Sequence, residues 1–404
     1  MILWEIKIIR IECEEHMKLL KPHYYDKFKC VGNNCPNTCC KGWDISINKK
    51  IYQKYQSVKG EFGDKLRKSI YTKNEEQYFK LNQLNACQFL NDKMLCDIYI
   101  NLGENFMCDT CKIYPRITKL HADVVEQTLT LSCPEVARLL IESKSSIEFE
   151  YGDIYRINLK PEIVDDSLFN CLLHIRTLFI DILQKKEIKF LYRKLLLVIV
   201  SDKIQSLLNK KEYDEVEILI DRFYDDNYIN LYIEQFQHIQ ANSNKELKYN
   251  FISNYIENVF KHSLNDEDYI MKLYNKFIVN DPDMTFEKIL HKYEALFDKY
   301  YEENSYVYEN FYVHTIFRYC LDALEDGQIL KHIILTNLGY IIIHAFDVLS
   351  WIDNNKILTE TNQCLIMGAF SFAFEHNINN FENIYNFLEL NNMTSLAFQA
   401  LLLN

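Results

Sequence analysis

Glycine and proline are scarce in this sequence, at 9 and 6 of 404 positions. So few turn formers exclude a turn-rich β sandwich or barrel and favour long helices. No G-x-G tripeptide occurs anywhere. That removes the glycine-rich strand-to-helix turn of a Rossmann-type dinucleotide or methyl-donor fold. No long basic run is present, and the formal net charge is −12. Such a balance excludes a nonspecific phosphate-neutralising surface, so no nucleic-acid partner is expected. No uninterrupted membrane-length apolar run occurs either. The longest apolar tract, Ile333 to Trp351, is broken by Asn337, His344 and Asp347, so it reads as a buried helix and no membrane span is expected. The opening residues MILWEIKIIR carry Glu5, Lys7 and Arg10 without a small-residue cleavage site, unlike a secretory signal. The chain therefore reads as cytoplasmic.

Cysteine, by contrast, is abundant. Nine of thirteen cysteines fall between positions 30 and 133, together with four of six prolines and five of nine glycines before residue 140. In a reducing compartment these are not disulfides. Metal or reactive-thiol chemistry becomes the leading explanation. After about residue 160 the texture changes to long stretches nearly free of glycine and proline. Leu168, Leu172, Ile175, Phe179 and Ile182 recur at helical spacing behind a capping Asp165. Further helices are expected across Phe190–Leu208 and near 248–261, 285–300, 308–325, 329–349 and 363–375. The expected fold is mainly α: a loop-rich cysteine domain over 17–150, then an all-helical domain over 151–404, behind an N-terminal extension of residues 1–16.

Four cysteine patterns stand out: Cys30-x4-Cys35-x3-Cys39-Cys40, Cys87-x8-Cys96, Cys108-x2-Cys111, and Cys133 followed by Pro134. A C-x-x-C turn brings two thiolates to one side, where they converge on one ion or one cluster iron. A zinc site and a [4Fe–4S] cluster each take four ligands, and the spacing does not separate them. Some of these cysteines can equally be buried thiols, Cys30 and Cys87 among them. The radical enzymes that use S-adenosylmethionine carry C-x3-C-x2-C. Cys35-x3-Cys39 fits the first step, but the third position is Gly42.

These segments together, "CPNTCCKGWDI" from Cys35, "CQFLNDKMLCDIYINLGENFMCDTCKIYPR" from Cys87 and "LTLSCPEVARLL" around Cys133, resemble the flagellin lysine-N-methylase family. The cysteine layout is also related to a broader group described as zinc- or iron-chelating. The match covers about residues 20–142. The helical remainder resembles the family in length and texture and in the pair Glu375-His376. Met17 is where the family usually starts. The resemblance implies S-adenosylmethionine-dependent methylation of flagellin lysines, without a Rossmann fold. It also implies an iron–sulfur cluster, with zinc as the alternative metal. The metal-ligand candidates are Cys35, Cys39, Cys40, Cys96, Cys108, Cys111 and Cys133. A non-enzymatic metal-chelating scaffold is the competing reading of the same cysteines.

Methyl transfer to a lysine needs a neutral amine, while free lysine titrates near 10.4, so a site must desolvate the amine or supply a base. Asp97 and Tyr99 in "CDIY", with Glu375 and His376, are the catalytic candidates. Trp43, through cation–π attraction for a sulfonium, and Arg116, as a carboxylate partner, are the cofactor-binding candidates. Trp43 also reads as a packing anchor, Asp97 and Tyr99 as supports of the metal loop, and Glu135 as a helix cap. Cys171 and His174, three apart on one helix, are assigned to the core.

Overall fold

The computed structural model of the chain describes residues 16–155, 165–240, 245–258, 260–264, 268–279, 285–375, 378–390 and 393–403. Long helices dominate it. Asp165 caps the helix Asp166–Gln184 as its spacing predicts, its Oδ1 accepting from the Ser167 and Leu168 amides at 3.0 and 3.3 Å. The helix Phe190–Leu208 spans the expected residues. His174 is a correction: it stands on the solvent side of Asp166–Gln184, hydrogen-bonded to Glu217 at 2.9 Å, while Cys171 is buried. A spacing of three residues shares a face only loosely, and the core covers just the Cys171 edge of it.

The first third is more ordered than a loop-rich reading anticipates. Strands β1 (His16–Pro22), β2 (Ser46–Ile47), β3 (Ile70–Lys73), β4 (Glu76–Phe79), β5 (Arg116–His121), β6 (Val124–Leu129) and β7 (Phe149–Tyr155) form two small sheets. The larger has the order β5-β6-β1-β7 and the smaller β2-β4-β3. β1 runs parallel to β6, with Leu19 opposite Val125, and antiparallel to β7, with Leu20 opposite Tyr151. Burial along Arg116–Leu129 does not alternate cleanly, and short strands broken by polar residues give a weak signal in sequence.

Two apolar cores result among the described residues. The smaller gathers Ile45, Ile47, Ile51, Tyr55, Leu66, Phe79, Phe89 and Ile98 with Cys87 and Cys108. The larger joins Tyr24, Tyr25, Phe28 and Leu129–Ile147 side chains to the helices that follow. A buried bidentate pair ties the large sheet to the helices: Arg176 Nη1 and Nη2 donate to Glu126 Oε2 and Oε1 at 2.9 and 2.6 Å.

The helix Ile329–Asp353 is long and apolar enough to cross a membrane, yet 94% of its most apolar window is buried in the protein. Its polar breaks are paired. Asn337 accepts from the Tyr312 hydroxyl at 2.8 Å, His344 meets Asp298 at 2.8 Å, and Asp347 accepts from Tyr308 and Gln363 at 2.7 and 2.8 Å. Buried polar groups that are partnered in this way suit a protein core.

Candidate functional site

Backbone bonds between distant loops set the cysteines in place. Gly42, at φ +93°, turns the chain after the adjacent cysteines, a conformation that a side chain at this position would resist. Its amide donates to the Asn85 carbonyl at 2.8 Å, and the Cys87 amide donates to the Cys40 carbonyl at 2.7 Å. Leu90 closes the next loop: its amide donates to the Cys87 carbonyl at 3.0 Å, and it bridges Cys96 in antiparallel fashion. The Asn91 carboxamide oxygen accepts from the Lys93 and Leu95 amides at 3.0 and 3.1 Å, holding the tip of that loop. Cys108 caps the short helix Asp109–Ile113, and Cys111 lies one turn along the same face. Cys133 caps Pro134–Glu142, with Pro134 opening the helix.

These loops border a cavity of about 650 Å³, a volume suited to a small-molecule ligand. Cys30, Cys35, Cys39, Cys40, Cys96, Cys111 and Cys133 all line it. So do the aromatic rings of Phe28, Trp43, Tyr99, Tyr114 and Phe372. Acids come from Glu104, Glu135 and Asp268, and bases from Lys41, Lys112 and Arg116. Asp268, Ala369 and Phe372 are contributed by the helical part, so the cavity is completed across both. Cys40, Cys87, Cys96, Cys108 and Cys111 also line a much smaller cavity of about 20 Å³, walled by Ile45, Tyr55, Phe79, Phe89 and Ile98.

The thiols sort into two groups that meet at the adjacent pair. Burial pushes Cys133 up to about 12, with the nearby Cys35 and Cys30 thiolates adding in the same direction. Burial likewise raises Cys35, with Cys30 adding, and pushes Cys87 up to about 12, where Cys40, Cys96 and Cys108 add. A hydrogen bond joins Cys39 to Cys40: it raises Cys39 and, acting against burial, lowers Cys40 to about 7. The Cys108 and Cys111 sulfurs lie 3.1 Å apart and share a hydrogen bond. It lowers Cys108 and raises Cys111.

The twelve described cysteines are all free thiols. In kind and number the donors fit thiolate-held metal, four or five sulfurs to each group. As the thiols stand, no three His, Cys, Asp or Glu side chains among the described residues are placed to hold an ion. Two pairs of sulfurs share a hydrogen bond, Cys39 with Cys40 and Cys108 with Cys111.

The structure divides the seven metal-ligand candidates. Cys35, Cys39 and Cys133 border the large cavity, Cys108 the small one, and Cys40, Cys96 and Cys111 both. Trp43 lines the large cavity, its Nε1 donating to the Cys39 carbonyl at 2.8 Å and its ring 6.1 Å from Tyr114. Arg116 reaches the same space with its guanidinium 5.0 Å from the Phe28 ring centre. Tyr99 lines it and is exposed. Asp97 is turned to its own loop: Lys65 donates to Oδ2 at 2.9 Å and Asn91 to Oδ1 at 3.1 Å. Burial acts against these bonds, which hold its carboxyl below the usual range. Glu375 ends the helix Glu360–Glu375, whose Ala369 and Phe372 reach the cavity. His376 lies outside the described residues.

Tyr114, Asp268 and Phe372 went unrecognised in the sequence, and Glu135 was read only as a helix cap. Tyr114 faces Trp43 and hydrogen-bonds Ser132 at 3.1 Å. Glu135 is buried at the cavity wall, where the Arg138 Nε meets its two oxygens at 3.2 and 3.0 Å. Asp268 and Phe372 come from far along the chain. The position of Glu135 two after a cysteine was the one local signal. Nothing near Asp268 or Phe372 in sequence points to a site.

Comparison with known proteins now bears on this geometry. The family model described as the FliB lysine N-methylase C-terminal domain matches residues 176–402, more than half of the chain. Over 139 residues, a third of this chain, it is 25% identical to the Lysine-N-methylase of Salmonella typhimurium, covering 35% of that protein. A segment of the same length is 25% identical to the flagellar biosynthetic protein FliU of Salmonella muenchen, covering 82% of it. The Lysine-N-methylase of Salmonella choleraesuis gives 25% identity and 35% coverage. The matched part thus spans about a third of the two lysine-N-methylases. No solved structure matches. With its helical part matched almost from end to end, the chain belongs to the FliB lysine N-methylase family.

Proposed function

We propose that this protein is a protein-lysine N-methyltransferase that uses S-adenosylmethionine to methylate flagellin in the cytoplasm. The observation that carries the reading is the cavity of about 650 Å³ in which sulfur, aromatic and acidic side chains converge, in a chain of this family. Its volume suits a nucleoside-sized donor and the end of a lysine side chain together. Trp43 and Tyr114 offer ring faces to a sulfonium or an ammonium. Glu104 and Glu135 attract the lysine ammonium, and the apolar wall of Phe28 and Phe372 lowers its affinity for its proton. The proton leaves to a carboxylate or to water. The freed amine nitrogen then attacks the methyl carbon, forming N–C as C–S breaks, and S-adenosylhomocysteine departs.

Cys30, Cys35, Cys39 and Cys133, around the large cavity, would hold the iron–sulfur cluster. Held by four thiolates it would have no open iron for the donor, and when bound it would serve as a staple for the loops that border the cavity. The amine is already a nucleophile and Gly42 replaces the third radical-motif cysteine, so polar transfer is the better account. The test is incorporation of labelled methyl from S-adenosylmethionine into purified flagellin by the anaerobically prepared protein. Label on lysine is expected; no label from a preparation with its iron intact refutes the reading.

A further inference from the structure

The mouth of the large cavity has a composition of its own. Met94, Tyr99 and Ile100 line it and are 43%, 55% and 56% exposed, all within residues 94–100. Isolated apolar side chains are ordinary on a protein surface, but several gathered at the rim of a cavity mark a contact surface. Glu104 follows them closely in the chain. Among the described residues it is the one exposed charge on the cavity lining, since Lys41, Lys112, Arg116 and Asp268 are half-buried and Glu135 is buried.

The chain presents this rim rigidly. In the helix Asp97–Leu102, Ile98 and Leu102 lie one turn apart and pack in the minor core, so Tyr99 and Ile100 are turned outward. Asp97 fixes that helix. Its amide donates to the Phe89 carbonyl at 2.8 Å, its carbonyl accepts from the Asn101 side chain at 2.8 Å, and Lys65 and Asn91 hold its carboxylate. Met94 stands at φ +57°, a conformation in which a bulky side chain persists only where its surroundings impose it. Its amide donates to the Asn91 carbonyl at 2.9 Å, inside the turn that the Asn91 side chain holds. Gly103, at φ +78°, then turns the chain so that Glu104 also borders the cavity.

We infer that Met94, Tyr99 and Ile100 form the docking ledge for the protein substrate, and that the ledge selects a lysine with a large apolar side chain next to it in sequence. The apolar neighbour is buried against the ledge, Glu104 draws the ammonium, and the lysine side chain enters the cavity toward Trp43 and Tyr114. The inference rests on the methyl-transfer reading and names the kind of lysine that reading leaves open. A second copy of this chain suits the ledge less well, because it carries a net charge of −12 and would approach Glu104 with like charge.

The experiment compares two fluorescent peptides binding to the full chain, prepared anaerobically: a lysine flanked on both sides by leucine, and the same peptide with serine in place of leucine. Fluorescence anisotropy should show the leucine peptide binding about tenfold more tightly. Met94→Ser and Ile100→Ser, both at exposed positions, should each remove most of that preference, while Glu104→Gln should weaken both peptides alike. With labelled S-adenosylmethionine, the lysines labelled in flagellin should be those with large apolar neighbours. Ile100→Ser should raise the KM for flagellin about tenfold without moving the KM for S-adenosylmethionine. Equal affinity of the wild type for the two peptides, or a preference that survives both serine variants, overturns the ledge. So does a wild-type dimer that Ile100→Ser turns into a monomer with the preference unchanged, which would assign the ledge to a second copy. A leucine preference carried by Ile100 without any methyl transfer would overturn the enzymatic reading alone; methyl transfer without the preference would overturn the ledge alone.

Discussion

Asp347 offers a sharp test of how the helical body is held. It sits fully buried in the C-terminal part of Ile329–Asp353. Its Oδ2 accepts from the Tyr308 hydroxyl and the Gln363 amide, while Oδ1 has no hydrogen-bond partner. Burial pushes its carboxyl up to about 7, against the opposing pull of Tyr308, Gln363 and His344. An unfolded aspartate titrates near 3.9. Between about pH 4 and 7 the unfolded chain therefore ionises while the folded one keeps its proton, so stability falls as pH rises through that window. The difference is worth at most about 4 kcal/mol, at 1.36 kcal/mol per unit.

Asp347→Asn removes the titration and keeps an oxygen for Tyr308 and Gln363. It places an amide where Oδ1 lacked a partner, at a cost of about 1–3 kcal/mol. The variant should gain roughly 1–3 kcal/mol on wild type at pH 8 and gain nothing, or lose slightly, at pH 5. Denaturant unfolding of both proteins at the two pH values, under reducing conditions, measures this. An identical difference between the proteins at both pH values would refute a raised carboxyl at this position.

Other perturbations bear on how the cavity is assembled. Glu126→Ala leaves the Arg176 guanidinium buried without its carboxylate and should cost about 3–5 kcal/mol in denaturant unfolding; a loss under 1 kcal/mol would mean that the sheet is not anchored by this pair. Asn310 donates to the Leu140 and Ser143 carbonyls at 3.0 and 2.7 Å, closing the end of the helix that starts at Cys133 and Glu135. Asn310→Ala should cost about 2–3 kcal/mol by the same assay, and an unchanged midpoint would refute that role. Trp43→Ala should raise the KM for S-adenosylmethionine about tenfold, since roughly 1–2 kcal/mol of ring contact is lost; an unchanged KM would remove Trp43 from the donor site. Trp43→Phe keeps a ring but loses the bond to the Cys39 carbonyl, so it should recover most of that affinity at a stability cost of about 1 kcal/mol.

Helices were the legible part of this chain. Apolar residues at a period of 3.6 and an aspartate in front are local properties, and Asp166–Gln184 follows directly from them, while Phe190–Leu208 follows from a long apolar stretch without glycine or proline. The sulfur-rich character of the first third and the absence of a glycine-rich cofactor turn were equally plain, because both depend only on which residues are present. Pairing was not legible. β1 joins β6 and β7 across more than a hundred residues, and short strands carry too little alternation to name their partners.

The cavity itself depended on tertiary structure. Asp268 and Phe372 meet Trp43 and Tyr114 only because helices far along the chain pack on the cysteine loops, and spacing in sequence holds no record of such contacts. The adjacent cysteines show the division most clearly. Composition alone said that Cys39 and Cys40 belong to a site rich in sulfur. Only folding placed Cys39 beside Cys30 and Cys133, and Cys40 beside Cys87, Cys96 and Cys111, because successive side chains leave the backbone in different directions and each met a different loop.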